Sequence, residues 1–252
     1  MDNLSIIVLA GGRGIRMNVN HPKVLTKLDG QTVIENLLEN IKQAGCLNSV
    51  SIVVGFKGQE IIELLGLDYN FVWQKEQLGT GHAVQQCQIL LQRKFKNHLI
   101  LYGDMPFISP HTIKNIITLH QQKKSVLTML TLKLSNFEGN YQSYWHFGRI
   151  IRNKDNEIIK IVEFKDADET EKKITELNPA IYCVQDEWLW ENLKKLNNNN
   201  HQAEYYLTDL VKLASEQGLK INSLVIEDGF EFMGVNTLED LELAQKIYKE
   251  KG

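Results

Sequence analysis

The sequence predicts an α/β fold of three layers around a mostly parallel central sheet. Three observations carry that prediction. Short apolar runs alternate with amphipathic helical stretches through the first half of the chain. The 252 residues are enough to bury one large core, close to the ~250–300 residues at which chains divide. Hydrophobic residues make up 43% and charged residues 23%, with a net charge of −3, a balance that excludes disorder.

Residues 5–10, 49–54, 71–73 and 98–102 read as buried strands, with 125–132 a fifth. Between them, residues 32–44 place Val33, Ile34, Leu37, Leu38 and Ile41 on one helical face, and Gly45 stops the helix. Residues 59–65 and 81–93 are two more helices. Ser109 followed by Pro110 is an N-cap with proline in the first turn, so a helix is expected from there to about Lys123. Strand–helix alternation implies right-handed crossovers, hence parallel pairing. In the second half, 147–152 and 157–163 read as a hairpin and 174–184 as one strand. Helices are expected at 187–196 and 207–217, a strand at 221–226, and a closing helix at 237–249. The run 197–200 reads as a loop.

A pI near 6.2 offers no cationic footprint for nucleic acid. No apolar run reaches the ~20 residues of a membrane helix, and the N-terminus has no cationic leader. Cys46, Cys87 and Cys183 are isolated, which argues against a disulfide framework or a zinc site and favours reduced, cytoplasmic thiols.

In parallel sheets, ligands lie beyond the carboxyl ends of the strands. The first such loop runs Leu9-Ala10-Gly11-Gly12-Arg13-Gly14-Ile15-Arg16-Met17, followed by Pro22-Lys23. Glycines present backbone N–H groups to an anion, and Arg16 and Lys23 supply mobile cations suited to a triphosphate. The dinucleotide fingerprint fails because Met17 stands where its third glycine belongs, and the Gly-Lys-Ser/Thr of a P-loop is absent.

This loop, with Pro22-Lys23-Val24-Leu25, resembles the signature of the sugar-1-phosphate nucleotidyltransferases. It is most similar to the uridyltransferase domain of the bifunctional enzymes that make UDP-N-acetylglucosamine. The resemblance continues in order through 74–83, Tyr102-Gly103-Asp104-Met105-Pro106, Gly148-Arg149-Ile150, 161–167, 204–209 and Gly234-Val235-Asn236. It implies a three-layer, Rossmann-like nucleotidyltransferase fold, with a nucleotide-binding half at about 1–132 and a smaller sugar-binding β annex at about 133–252.

The resemblance also implies roles. Leu9, Ala10, Gly11 and Gly12 would hold the nucleotide. Gln74 would read the uracil edge with the backbone of Gly79 and Thr80, a task suited to an amide that both donates and accepts, and Tyr102 and Gly103 would complete that side. Asp104 and Asn236 would hold Mg²⁺, a hard cation that takes oxygen ligands and keeps substrate phosphates and water. Arg16, Lys23 and Asp104 would serve the transfer itself, in which an anionic oxygen of the sugar phosphate attacks the α-phosphorus of UTP and no protein nucleophile is needed. Gly148, Glu163, Asn178, Tyr206 and Thr208 would line the sugar phosphate, N-acetylglucosamine 1-phosphate first among the candidates. Another sugar 1-phosphate or pyrimidine nucleotide, or a non-catalytic nucleotide-sugar sensor, are the rivals. The histidines, including His82 and His98, read as non-catalytic.

Three departures stand out. Asn178-Pro179-Ala180 replaces the family's usual Asn-Thr-Gly, losing a backbone donor and adding a Cβ. Residues 135–147 form a longer, aromatic link carrying Phe137, Tyr141, Tyr144, Trp145 and Phe147; a packed hairpin extension is favoured over a lid or a homodimer contact. Gly11 stands where close relatives often have alanine, a mild change. The bifunctional enzymes continue into hexapeptide repeats for acetyl transfer. No such period occurs up to Gly252, so a single domain over 1–252 is expected, either as a stand-alone enzyme or as a piece of a longer protein.

Overall fold

A computed structural model describes residues 3–17 and 19–251. The chain opens with β1 (Leu4–Leu9), then a short ribbon of β2 (Lys27–Leu28) and β3 (Gln31–Thr32), and α1 (Val33–Gln43). Thr32 caps α1 in a capping box, its N–H donating to Glu35 Oε2 at 2.7 Å while its hydroxyl accepts from Glu35 N. Next come β4 (Val50–Val54), α2 (Gly58–Leu65), β5 (Asn70–Trp73), α3 (Thr80–Gln85) and α4 (Gln88–Leu91). The single helix expected over 81–93 is thus two, divided where the ladder tightens to a three-residue bond from Cys87 N to Val84 O at 2.9 Å. β6 (Asn97–Tyr102), α5 (Pro110–Lys123) and β7 (Leu127–Lys133) close the first half, with Ser109 accepting from Thr112 N as the cap of α5.

The second half carries the expected hairpin, β8 (Gly148–Arg152) and β9 (Ile158–Val162), then β10 (Glu176–Asn178) and β11 (Tyr182–Gln185). The strand expected over 174–184 is broken: Pro179 has no N–H to give a ladder, and Ala180 adopts a left-handed φ of 62°. The break forks the sheet. β11 continues the main sheet by pairing with β6, whereas β10 leads off to β8. The elements α6 (Asp186–Leu193), α7 (Asp209–Glu216), β12 (Asn222–Ile226) and α8 (Leu238–Lys251) complete the chain.

The ten-stranded sheet runs β5-β4-β1-β6-β11-β7, with β12 on the other edge of β7 and β10-β8-β9 as the branch. β5, β4, β1 and β6 are mutually parallel, as the crossovers predict, and every antiparallel pair of this sheet includes a strand of the second half. Alternating side chains of β1 feed two separate cores. Ile6 and Val8 pack with Ile34, Leu37, Ile113 and Ile116 on one face, and Ile7 packs with Val84, Leu189, Trp190 and Leu210 on the other. Each such side chain contributes about 1.5–3 kcal/mol by leaving water. A third cluster, Met17, Leu28, Val33, Met233, Val235 and Ala244, pins the first loop and the chain around Asn236 beneath α8.

Cys46, Cys87 and Cys183 are all buried, and burial pushes the Cys87 thiol up to about 12. Among the described residues, no helix is long and apolar enough to cross a membrane.

Candidate active site

The carboxyl ends of β1, β5 and β6 open onto one cavity of about 230 Å³. Its walls include Leu9, Ala10, Gly11 and Gly12 after β1, Gln74 after β5, and Tyr102 with Asp104 after β6. Gly79, Thr80 and Lys23 line it too, so the first-loop and uracil-side candidates meet in one place. Gly103 packs at the junction, where an added Cβ would come within 3.1 Å of Leu9 O.

The loop 74–81 is held as a rigid unit. Gln74 is only 6% exposed, and its Nε2 donates to Gly79 O at 3.0 Å and faces His82 Nδ1 at 3.2 Å. Its amide nitrogen therefore secures the loop, while Oε1 lies 3.2 Å from where a Cβ on Gly11 would stand. Gly79 has a φ of 103°, and a Cβ there would meet Tyr205 O at 2.7 Å, so no other residue fits without displacing the 204–207 strap. Gly81 N donates to Tyr205 O at 2.8 Å, and Leu207 N to Thr80 Oγ1 at 3.1 Å. Burial pushes the Tyr102 hydroxyl well above its ordinary range beside Thr80.

Asp104, Asn236 and Lys23 converge from three distant parts of the chain. The Lys23 ammonium forms an ion pair with Asp104 Oδ2 and donates to Asn236 Oδ1 at 2.6 Å. Arg16 Nη2 approaches the same Asn236 oxygen at 3.5 Å from the exposed rim. Asp104 Oδ1 is buried and, among the described residues, has no hydrogen-bond partner. Two hard oxygens thus flank a position now taken by a cation, with a third buried oxygen unsatisfied beside it. That donor set fits Mg²⁺ completed by phosphate and water. Among the described residues, no group of three or more His, Cys, Asp or Glu side chains could hold a metal, so substrate oxygens would have to finish the coordination shell.

The sugar-side candidates form a contiguous seam. Asn178 pairs with Gly148 across β10 and β8. A Cβ on Gly148 would lie 3.5 Å from both carboxylate oxygens of Glu163, so the strand backbone approaches that carboxylate closely. Thr208 donates to Glu163 Oε1 at 3.1 Å. Glu163, Tyr206 and Thr208 line a second cavity, of about 380 Å³, together with Asp166 and Asp209. Burial raises the Glu163 and Asp209 carboxyls, and neighbouring acids push in the same direction. The Asn178 side-chain oxygen accepts from Ala180 N and from the Tyr182 hydroxyl, both at 2.9 Å, so it braces the turn at the sheet fork. The Tyr206 hydroxyl accepts from Gln202 Nε2 at 2.9 Å.

Two cavity residues escape a reading confined to motif positions. Gln77 lines the nucleotide-side cavity and donates to Gly11 O at 2.6 Å, which ties the 74–81 loop to the first loop. Glu204 lines the same wall, its carboxyl raised by burial. Both lie inside matched segments, and only packing reveals that they point inward. The aromatic segment 135–147 folds as a 3₁₀ turn, Gly139–His146, packed on the protein rather than a hairpin; Tyr144 is buried, and its hydroxyl donates to Gly229 O at 2.6 Å.

Similarity to known proteins gives the class to which this site belongs, an enzyme of the nucleotidyltransferase type. The chain belongs to the family described as the MobA-like NTP transferase domain, which it matches over residues 6–147. It is 38% identical over 251 residues to the bifunctional protein GlmU of Acetivibrio thermocellus, covering 100% of this chain and 53% of that protein. It is 39% identical over 251 residues to the bifunctional protein GlmU of Streptococcus agalactiae serotype V, with the same coverage of 100% and 53%. The chain therefore spans about half the length of the curated relatives it matches. In fold it is similar to a UDP-glucose pyrophosphorylase complexed with UDP-glucose, at a TM-score of 0.79 and 17% identity over 100% of both chains. It is likewise similar to a CMP:2-keto-3-deoxy-manno-octonic acid synthetase complexed with CTP, at a TM-score of 0.73 and 16% identity over 99% of this chain and 100% of that one.

Proposed function

We propose that this nucleotidyltransferase moves UMP from UTP to N-acetylglucosamine 1-phosphate with Mg²⁺, giving UDP-N-acetylglucosamine and pyrophosphate. The observation that carries the reading is the convergence of Lys23, Asp104 and Asn236 beside the first-loop cavity. An oxygen of the sugar phosphate forms a bond to the α-phosphorus of UTP, and the bond to the β-phosphate bridge breaks in line as pyrophosphate leaves. Bound between Asp104 and Asn236, Mg²⁺ would supply charge neutralisation for the reacting phosphates. Arg16 and Lys23 neutralise and orient the two polyanions as they are brought together. The backbone of Leu9 to Gly12 and the loop around Gln74, Gly79 and Thr80 hold the nucleotide. Gly148, Glu163, Asn178, Tyr206 and Thr208 line the sugar phosphate.

The buried thiols of Cys87 and Cys183 agree with a reducing, cytoplasmic setting. A second reading, the same chemistry on a different sugar 1-phosphate, is favoured by one feature: the left-handed Ala180 after Pro179 reshapes the turn that Asn178 braces. The metal assignment is tested with Asp104→Asn, for which turnover should fall about a hundredfold or more, on the scale of lost electrostatic stabilisation. The variant should keep its circular dichroism spectrum. Wild-type turnover across a Mg²⁺ titration would remove Asp104 from the reaction.

A further inference from the structure

Arg149 is fully buried, at 0% exposure, and among the described residues it has no carboxylate partner within salt-bridge distance. Taking a guanidinium out of water without an acid is costly, and arginine cannot shed its proton to escape that cost. The charge is met instead by carbonyl dipoles and ring faces. Nε and Nη2 donate to Lys172 O at 3.1 and 3.0 Å, Nη2 also donates to Trp145 O at 2.8 Å, and Nη1 donates to Phe147 O. The rings of Phe137, Trp145 and Phe164 lie 5.0, 5.3 and 5.5 Å from the guanidinium carbon.

These partners come from two segments outside the sheet, each holding only a short 3₁₀ turn: residues 134–147 before β8, and residues 163–175 after β9. The first loop delivers Gly148, and the second begins at Glu163. An apolar side chain could fill the same volume without a desolvation cost. It could not gather three carbonyls from both loops at the fixed angles of a planar fork. The contacts continue to the seam itself, because Phe164 follows Glu163 directly and packs edge-on against Trp145 at 5.8 Å and His146 at 4.9 Å.

We propose that Arg149 is a positioning residue for the sugar-phosphate half of the site: it locks both loops so that the Gly148 backbone and the Glu163 carboxylate stand at a fixed separation. The inference rests on the reading of Gly148 and Glu163 as sugar-side residues. Steady-state kinetics with UTP and N-acetylglucosamine 1-phosphate test it in Arg149→Lys, Arg149→Met and Trp145→Leu. The KM for the sugar phosphate should rise roughly ten- to a hundredfold in both arginine variants, the scale of a misplacement near 1 Å. The KM for UTP should stay unchanged, and lysine should recover little of the loss, because it lacks the fork. Folded variants whose two KM values both stay level, or rise together, would overturn the proposal. If Arg149→Met fails to fold, Arg149→Lys decides by the same criterion, since lysine keeps the charge and removes the fork; Trp145→Leu, which leaves the three carbonyl bonds in place, should move the sugar KM less. Glu163→Gln separates the two layers of the argument. An unaltered sugar KM there would defeat the reading of the site and the proposal with it. A raised sugar KM in Glu163→Gln beside a level one in the arginine variants would defeat the proposal alone.

Discussion

Lys23 occupies the space between the two oxygens proposed to hold Mg²⁺, bonded to Asp104 and Asn236 at once. Its ammonium holds together a site that would otherwise carry an uncompensated, largely buried carboxylate. Unit charges about 4 Å apart interact by about 4 kcal/mol at a near-surface dielectric, so a competing divalent cation meets real resistance there. Lys23→Met should therefore bind Mg²⁺ or Mn²⁺ about tenfold more tightly in the absence of nucleotide, while turnover falls; titration calorimetry reads the first effect. Equal or weaker metal binding would mean that the lysine does not contest the site. That Lys23, Asp104 and Asn236 meet in one place was legible in the sequence, because each sits inside a distinctive block. Gln77 and Glu204 were not, since the direction of a polar side chain in a loop is decided by packing. Gln74 shows the same limit: its position was readable, but the bond that turns its Nε2 onto Gly79 was not.

Among the elements, the β10–β11 break shows what periodicity misses. An apolar run over 174–184 looks like one strand, yet Pro179 and the left-handed Ala180 split it and fork the sheet beside Asn178. Alanine at a φ of 62° carries a steric cost of about 1 kcal/mol that glycine would not. Ala180→Gly should leave the fold intact and raise its unfolding free energy in urea by no more than about 0.5 kcal/mol, after the greater freedom of glycine in the unfolded chain is subtracted. A loss of stability would show that the Cβ packs usefully.

A second element-scale device is the pair of buried imidazoles that tie strands to helices. His98 on β6 joins Ser5 of β1 at 2.6 Å and Asp186 of α6 at 2.7 Å, and His120 of α5 joins Thr128 and Asn97, both at 3.0 Å. Burial lowers both imidazoles, His120 to about 4, with Asp186 opposing the shift at His98. Unfolded histidine titrates near 6.5, so the unfolded chain binds more protons below that pH, and stability is lost as pH falls from about 6.5 toward 4. His120 alone should remove roughly 2–3 kcal/mol by pH 4.5 in urea unfolding. His120→Gln should flatten that slope, and an unchanged slope would place the titration elsewhere. That these two imidazoles stitch strands to helices was not legible in the sequence, because their partners lie far away in the chain or on other elements.

Across the whole molecule, the parallel half was the more legible, because each strand–helix crossover writes its own period and ends in a loop at the ligand edge. The mixed second half depends on pairings, such as antiparallel β10 with β8 and parallel β12 with β7, that no local pattern specifies. The division of labour follows the same line. The parallel strands converge on the nucleotide-side cavity, and the forked branch builds the seam assigned to the sugar. The central claim is that these two halves join UTP to N-acetylglucosamine 1-phosphate. It is tested most directly by pyrophosphate release with Mg²⁺ across UTP, dTTP, CTP and ATP, each paired with the 1-phosphates of N-acetylglucosamine, glucose, galactose and N-acetylgalactosamine. A clear maximum at UTP with N-acetylglucosamine 1-phosphate is predicted; a maximum at another pair, or no release with any pair, would contradict it.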